Sequence, residues 1–177
     1  FLQRNSFNLR DYQQEMIDRI YSVVVDGNLR LMLKLPTGAG KTRVALEAVY
    51  RLMRDDHVKI ALWIADDKNL CQQAIDSALS TFQESNDNIE NLILVSFFDS
   101  NALIDLQMLH ETHAKPMLIV CTPHQLEENL ELIPNIDVFI MDEAHTSIER
   151  RFDLFERLEA RTPLGLSATP PTHWRET

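Results

Sequence analysis

The fold class the sequence predicts is α/β: an open, mostly parallel sheet, doubly wound with helices on both faces. Three observations predict it. Apolar runs recur at Leu29–Leu35, Ile60–Ala65, Leu92–Val95, Met117–Cys121, Val138–Met141 and Leu164–Leu166. The five runs after the first lack the polar alternation of a half-exposed strand, so each of them reads as a strand covered on both faces, and the first reads as a buried strand that feeds a loop. Helix-capable stretches separate them, and a helix followed by repeated β–α units is the order of a doubly wound sheet. At 177 residues and 45% apolar content, the chain suits a single domain over 1–177 with a substantial core.

Residues 10–25 read as an amphipathic helix, with Tyr12, Met16, Ile20 and Val24 four apart and Ile17 and Tyr21 beside them. Asp26-Gly27-Asn28 ends it. The run to Leu35 then feeds Pro36-Thr37-Gly38-Ala39-Gly40-Lys41-Thr42, and a second helix follows with Ala45, Ala48, Val49, Leu52 and Met53 on its apolar face. Further helices are expected near 68–84, 99–113, 124–132 and 147–160. Asp67 is placed to cap the first of these, and Thr122 with Pro123 and Gln125 to start the third. Thr146-x-x-Glu149 reads as a capping box for the last.

A buried strand, a tight loop and a helix N-terminus in register make a cradle for phosphates, because loop N–H groups and the positive helix end face the anion. Lys41 adds a cation for the β- and γ-phosphates, and the Thr42 hydroxyl a ligand for Mg²⁺. Leu35 stands where the general phosphate-loop pattern has its first glycine. In such sheets ligands collect at the carboxyl ends of strands. There Val138–Met141 delivers Asp142-Glu143-Ala144-His145. Asp142 is suited to hold Mg²⁺ through water, and Glu143 to orient and deprotonate an attacking water.

The net charge of −10 excludes a nucleic-acid grip spread over the whole surface, so any polyanion contact is local. Cys71 and Cys121 have no metal-ligand spacing and read as small buried thiols. His110 and His113 lack a third ligand nearby and read as surface residues, and Trp63 as core. No secretory leader or bilayer-length apolar run is visible, so a cytosolic or nuclear setting is expected.

Pro36-Thr37-Gly38-x-Gly40-Lys41-Thr42, Asp142-Glu143-Ala144-His145 and Ser167-Ala168-Thr169-Pro170 resemble, in order, motifs I, II and III of superfamily two helicases and translocases. Arg10-x-Tyr12-Gln13 resembles the upstream motif whose glutamine reads adenine. The form Leu9-Arg10-x-Tyr12-Gln13 with Asp-Glu-Ala-His is most similar to DNA translocases, repair helicases and restriction-enzyme motor subunits. The resemblance implies a RecA-like first motor domain that hydrolyses ATP with Mg²⁺. Arg10 and Gln13 would flank the base, Pro36 through Thr42 would hold phosphates and metal, and Asp142 would complete the metal site. His145, Ser167, Ala168 and Thr169 would relay the nucleotide state to a second RecA-like domain that this chain lacks.

Ile64–Gln73 lines up with motif Ia and Cys121–Leu126 with motif Ib, which implies nucleic-acid contact through Lys68, Gln73, Thr122 and Pro123. Asp66 and Asp67 depart from that pattern, since acids repel phosphate. The implied partner is nucleic acid, DNA ahead of RNA, gripped by its backbone. An RNA helicase and a protein-threading ATPase stand as alternatives. Without a second domain and its arginine, very slow hydrolysis is expected.

Overall fold

The computed structural model describes residues 9–27, 30–84, 92–97, 115–144 and 147–169. Its frame is one six-stranded, all-parallel sheet: β1 (Leu31–Lys34), β2 (Ile60–Ile64), β3 (Ile93–Phe97), β4 (Met117–Cys121), β5 (Val138–Met141) and β6 (Thr162–Ser167). Across the sheet the order is β1-β6-β5-β2-β4-β3. The three strands that carry the resemblance to motifs I, III and II are therefore neighbours, with their carboxyl ends side by side.

Every residue of β4, β5 and β6 is buried. The expectation of two covered faces fails at the edges, where Lys34 of β1 and Ser96 of β3 are exposed. An edge strand has a partner on one flank only, and polar residues there discourage pairing with other chains. The strand alternation splits the core in two. Ala61 and Trp63 of β2 pack under α1 (Asp11–Asp26), α2 (Lys41–Arg54) and α3 (Lys68–Glu84), with Ile17, Val44, Leu52 and Ala78. Leu62 and Ile64 face the other way, toward Leu126 of α4 (Pro123–Glu128) and Leu154 of α5 (Ile148–Arg157). Trp63 is fully buried, as the sequence indicated.

Gly27 closes α1, its N–H donating to the carbonyls of Val23 and Val24. The stretch expected as a helix over 124–132 divides into α4 and a 3₁₀ turn at Leu130–Leu132. The last helix is shorter than expected, and the Thr146 box does not start it. Its N-cap is Ser147, in a left-handed conformation (φ 46°), whose carbonyl accepts from the Arg151 N–H at 3.2 Å. Glu149 thus falls one position early for a reciprocal cap. The helix expected at 99–113 lies outside the described residues, as do His110, His113, His145 and Trp174.

Cys71 and Cys121 are buried, free thiols. Burial pushes the Cys71 thiol up to about 12 and raises that of Cys121 as well, which leaves neither reactive. Among the described residues, no helix is long and apolar enough to cross a membrane.

Candidate nucleotide-binding site

The loop between β1 and α2 turns on two glycines in left-handed conformation, Gly38 (φ 80°) and Gly40 (φ 85°). The Ala39 N–H closes a tight turn onto the Pro36 carbonyl at 3.1 Å. Gly40 caps α2, and the first helical positions are Lys41 and Thr42. Their N–H groups have no acceptor within the helix, so the helix start is polarised toward an anion. Leu35 needs no glycine, because its side chain is buried in the core and its N–H reaches the Ser167 carbonyl of β6.

The amino end of α1 braces this loop. Tyr12 Oη and Gln13 Nε2 both donate to the Ala39 carbonyl, at 3.1 and 3.3 Å. Gln13 Oε1 accepts from the Arg10 N–H at 2.9 Å. A β-carbon on Gly40 would come within 2.6 Å of Gln13 Nε2, so glycine is required for close approach as well as for its φ. These bonds use one amide hydrogen and one oxygen lone pair of Gln13, which leaves one donor and one acceptor position. That is the complement of an adenine edge.

The Asp142–Glu143 turn stands opposite. Asp142 N–H continues the sheet onto the Ile64 carbonyl at 3.0 Å, and Ala144 N–H onto that of Leu166 at 2.8 Å. Glu143 sits between them in left-handed conformation (φ 47°), its N–H bonded to Asp142 Oδ1 at 3.0 Å. The Glu143 carboxylate lies 3.7 Å from the Lys41 ammonium, which is only 8% exposed. The lysine of the loop and the acid pair after β5 thus share one crevice. Gly165 of β6 lies behind the turn, where an added β-carbon would press on Met32 and Ala144.

Burial, and then the neighbouring Glu143 charge, hold the Asp142 carboxyl above its ordinary range; Arg151 and Lys41 pull it down. Even with Arg151 and Lys41 nearby, the Asp142 carboxyl stays above its ordinary range, and a divalent cation at that carboxylate would bring it down. The donor chemistry, Thr42 hydroxyl and Asp142 carboxylate with phosphate and water oxygens, suits Mg²⁺. Of the coupling residues, Ser167 is fully buried at the end of β6 and its Oγ accepts from the Thr169 N–H at 3.0 Å. Ala168 follows it half-buried and Thr169 exposed.

The remaining sequence candidates gather elsewhere on the same sheet edge. Lys68 and Gln73 are exposed on α3. Thr122 is the N-cap of α4, its hydroxyl accepting from Gln125 N–H at 3.4 Å, with Pro123 buried behind it. These groups stand at the ends of β2 and β4, joined where Ala65 N–H bonds the Cys121 carbonyl at 3.2 Å. Asp67 Oδ1 accepts from the N–H groups of Asn69 and Leu70, at 2.8 and 3.0 Å, as a helix cap. Asp66 pairs with Arg151 of α5.

Sequence reasoning placed Tyr12 on a helix face and in the upstream motif without a role in bracing the loop, and it did not single out Arg151. Arg151 had a signal: helical spacing sets it on the same stripe as Ile148, Leu154, Phe155 and Leu158. A charged residue on an apolar stripe needs a buried partner.

The family described as "Type III restriction enzyme, res subunit" matches residues 6–172. Over 143 residues the chain is 27% identical to the type I restriction enzyme EcoKI endonuclease subunit of Escherichia coli K12, covering 80% of this chain and 12% of that one. It is 28% identical over 169 residues to a putative ATP-dependent RNA helicase, QP509L, of African swine fever virus, covering 93% and 29%. It therefore spans less than a third of either relative. Among solved structures, a type ISP restriction-modification enzyme, LlaGI, in complex with a DNA substrate mimic superimposes with a TM-score of 0.72 at 21% identity, over 92% of this chain and 18% of that one. The Sulfolobus solfataricus SWI2/SNF2 ATPase core superimposes with a TM-score of 0.65 at 14% identity, over 92% and 32%. Both likenesses establish the fold.

Proposed function

The chain belongs to the family of type III restriction enzyme res subunits, and from that premise we propose that it is a single, ATP-binding first motor domain of an ATP-dependent DNA translocase or helicase. The observation that carries this reading is the meeting of Lys41, after β1, with Glu143, after β5, at 3.7 Å across the end of the intervening β6. Lys41 and the N–H groups of residues 38–42 bind the phosphate chain, and Gln13 offers its remaining amide positions to adenine. Mg²⁺, held by Thr42 and through water by Asp142, would offset phosphate charge. Glu143 orients the attacking water and accepts its proton. Ser167, Ala168 and Thr169, with His145, relay the occupied state to a second motor domain. An arginine supplied by that second motor domain would complete the site, a contribution worth about 10³–10⁵ in rate in related hydrolases.

DNA is favoured over RNA by the similarity to a restriction endonuclease subunit. Lys68, Gln73, Thr122 and Pro123 supply a backbone contact on this side. Glu143→Gln tests the reading: Mg·ATP binding should persist while single-turnover hydrolysis falls by about 10²–10⁴-fold. Hydrolysis unchanged by that substitution would remove Glu143 from its role. Rates with duplex DNA, single-stranded DNA and RNA added sort the partner, and stimulation by RNA alone would move the assignment to an RNA motor.

A further inference from the structure

Arg151 is the one arginine among the described residues that is completely buried, and neither end of its side chain stays on its own helix. One guanidinium nitrogen donates to the Asp142 backbone carbonyl, and the other to Asp66 Oδ1. Asp142 follows β5 and Asp66 follows β2, and these strands lie side by side in the sheet. The planar fork of arginine suits two such acceptors at once, where an ammonium on a single stem does not. Its first target is significant. The Asp142 carbonyl belongs to the peptide that leads into Glu143, whose left-handed backbone is unfavourable for a residue with a side chain. Something must fix that peptide for the Glu143 carboxylate to face Lys41.

We propose that Arg151 is a positioning residue: anchored by Asp66 at the end of β2, it fixes the Asp142–Glu143 peptide and ties the nucleotide crevice to the loop that opens α3. Asp66 thereby has a use in this chain that explains an acid at the start of a polyanion-facing segment. Its charge is directed inward at Arg151, and that of Asp67 is spent on the α3 cap. The mechanical part of the proposal stands on these contacts alone; its consequence for nucleotide binding rests on the function proposed above.

The test uses Asp66→Asn, Arg151→Lys and their double variant in the 177-residue chain, because Arg151→Met risks failing to fold. Amide hydrogen exchange is measured by residue, together with melting temperature and Mg²⁺-dependent affinity for a fluorescent ATP analogue. Each single variant should speed exchange at Glu143 and Ala144 by about tenfold, with the β2 and β5 interiors within about twofold of the parent. Affinity should fall about fivefold, the size expected when a residue without ligand contact loosens the site. The double variant should be no worse than the poorer single one, since both cut the same link. Exchange at Glu143 and Ala144 that stays at the parent rate, or that rises only in step with the whole sheet, overturns the proposal. A parent chain that fails to bind the analogue would instead sink the nucleotide reading, and the exchange arm would still decide the clamp.

Discussion

The carboxyl edge of the sheet carries acids in two places and treats them in opposite ways. At the ends of β1, β6 and β5, Asp142 and Glu143 stand together beside the buried Lys41 ammonium, and burial first and the Glu143 charge second hold the Asp142 carboxyl up despite Arg151 and Lys41. At the ends of β2 and β4, each acid is taken up: Asp66 by a buried guanidinium, Asp67 by two N–H groups of the helix it starts. The first region keeps a buried carboxyl raised, a state that a divalent cation would relieve. The second has cancelled its charge, so that an exposed lysine and helix N-termini set the local character. Adjacent carboxylates in a sequence therefore carry no fixed meaning, and the difference lies in which groups the fold brings within reach of them.

Removing the ammonium breaks the first region most severely. Lys41→Met should weaken Mg·ATP binding by at least about 100-fold, about 2.7 kcal/mol, read by calorimetric or fluorescence titration. An affinity within tenfold of the parent would show that the crevice does not depend on this cation. A smaller effect of opposite sign is expected from Asp142→Asn in the ligand-free protein. Because burial and Glu143 raise the folded carboxyl above its unfolded value, Asp142 favours folding below the ordinary carboxylate range, and that contribution is lost as pH rises through the folded value. At pH 7.5 the asparagine variant should melt a few degrees higher, the shift that about 1 kcal/mol produces at this size. The gain should fade below about pH 4 and coincide with loss of Mg²⁺-dependent nucleotide binding. A variant that melts lower at pH 7.5 would mean Asp142 is already well compensated and would erase the contrast between the regions. The mildest change is expected at the second region. Lys68→Ala should weaken binding to duplex DNA uniformly across sequences and lower the salt slope by about 1. A salt slope identical to the parent's would remove Lys68 from the contact.

The strands and the phosphate loop were legible because their signals are local. Runs such as Met117–Cys121 are too apolar to be anything but covered, and the loop declares itself within seven consecutive residues, Pro36 to Thr42. What stayed hidden depends on distance along the chain. Gln13 reads as a candidate for the base, yet nothing local says that it also grips Ala39, 26 positions away. The partner of Asp66 is 85 positions downstream, so the pair Asp66-Asp67 read as a flaw in a phosphate contact. Thr146 drew the cap because Glu149 stands three positions on, but the left-handed turn at Ser147 moved the helix start by one. Local chemistry proposes a cap, and the path of the entering chain decides it.

Gly165 sets how far this site tolerates sequence drift. A β-carbon there would lie 2.8 Å from Met32 Cε and 3.1 Å from Ala144 Cβ. The methionine end could swing aside, whereas the alanine rides on the same turn as Glu143, so any movement it makes is passed to that turn. One missing methyl thus lets three strand ends nest without a spacer. A side chain at 165 would therefore be felt at the acid pair two strands' width from the phosphate loop, through the shift it asks of Ala144.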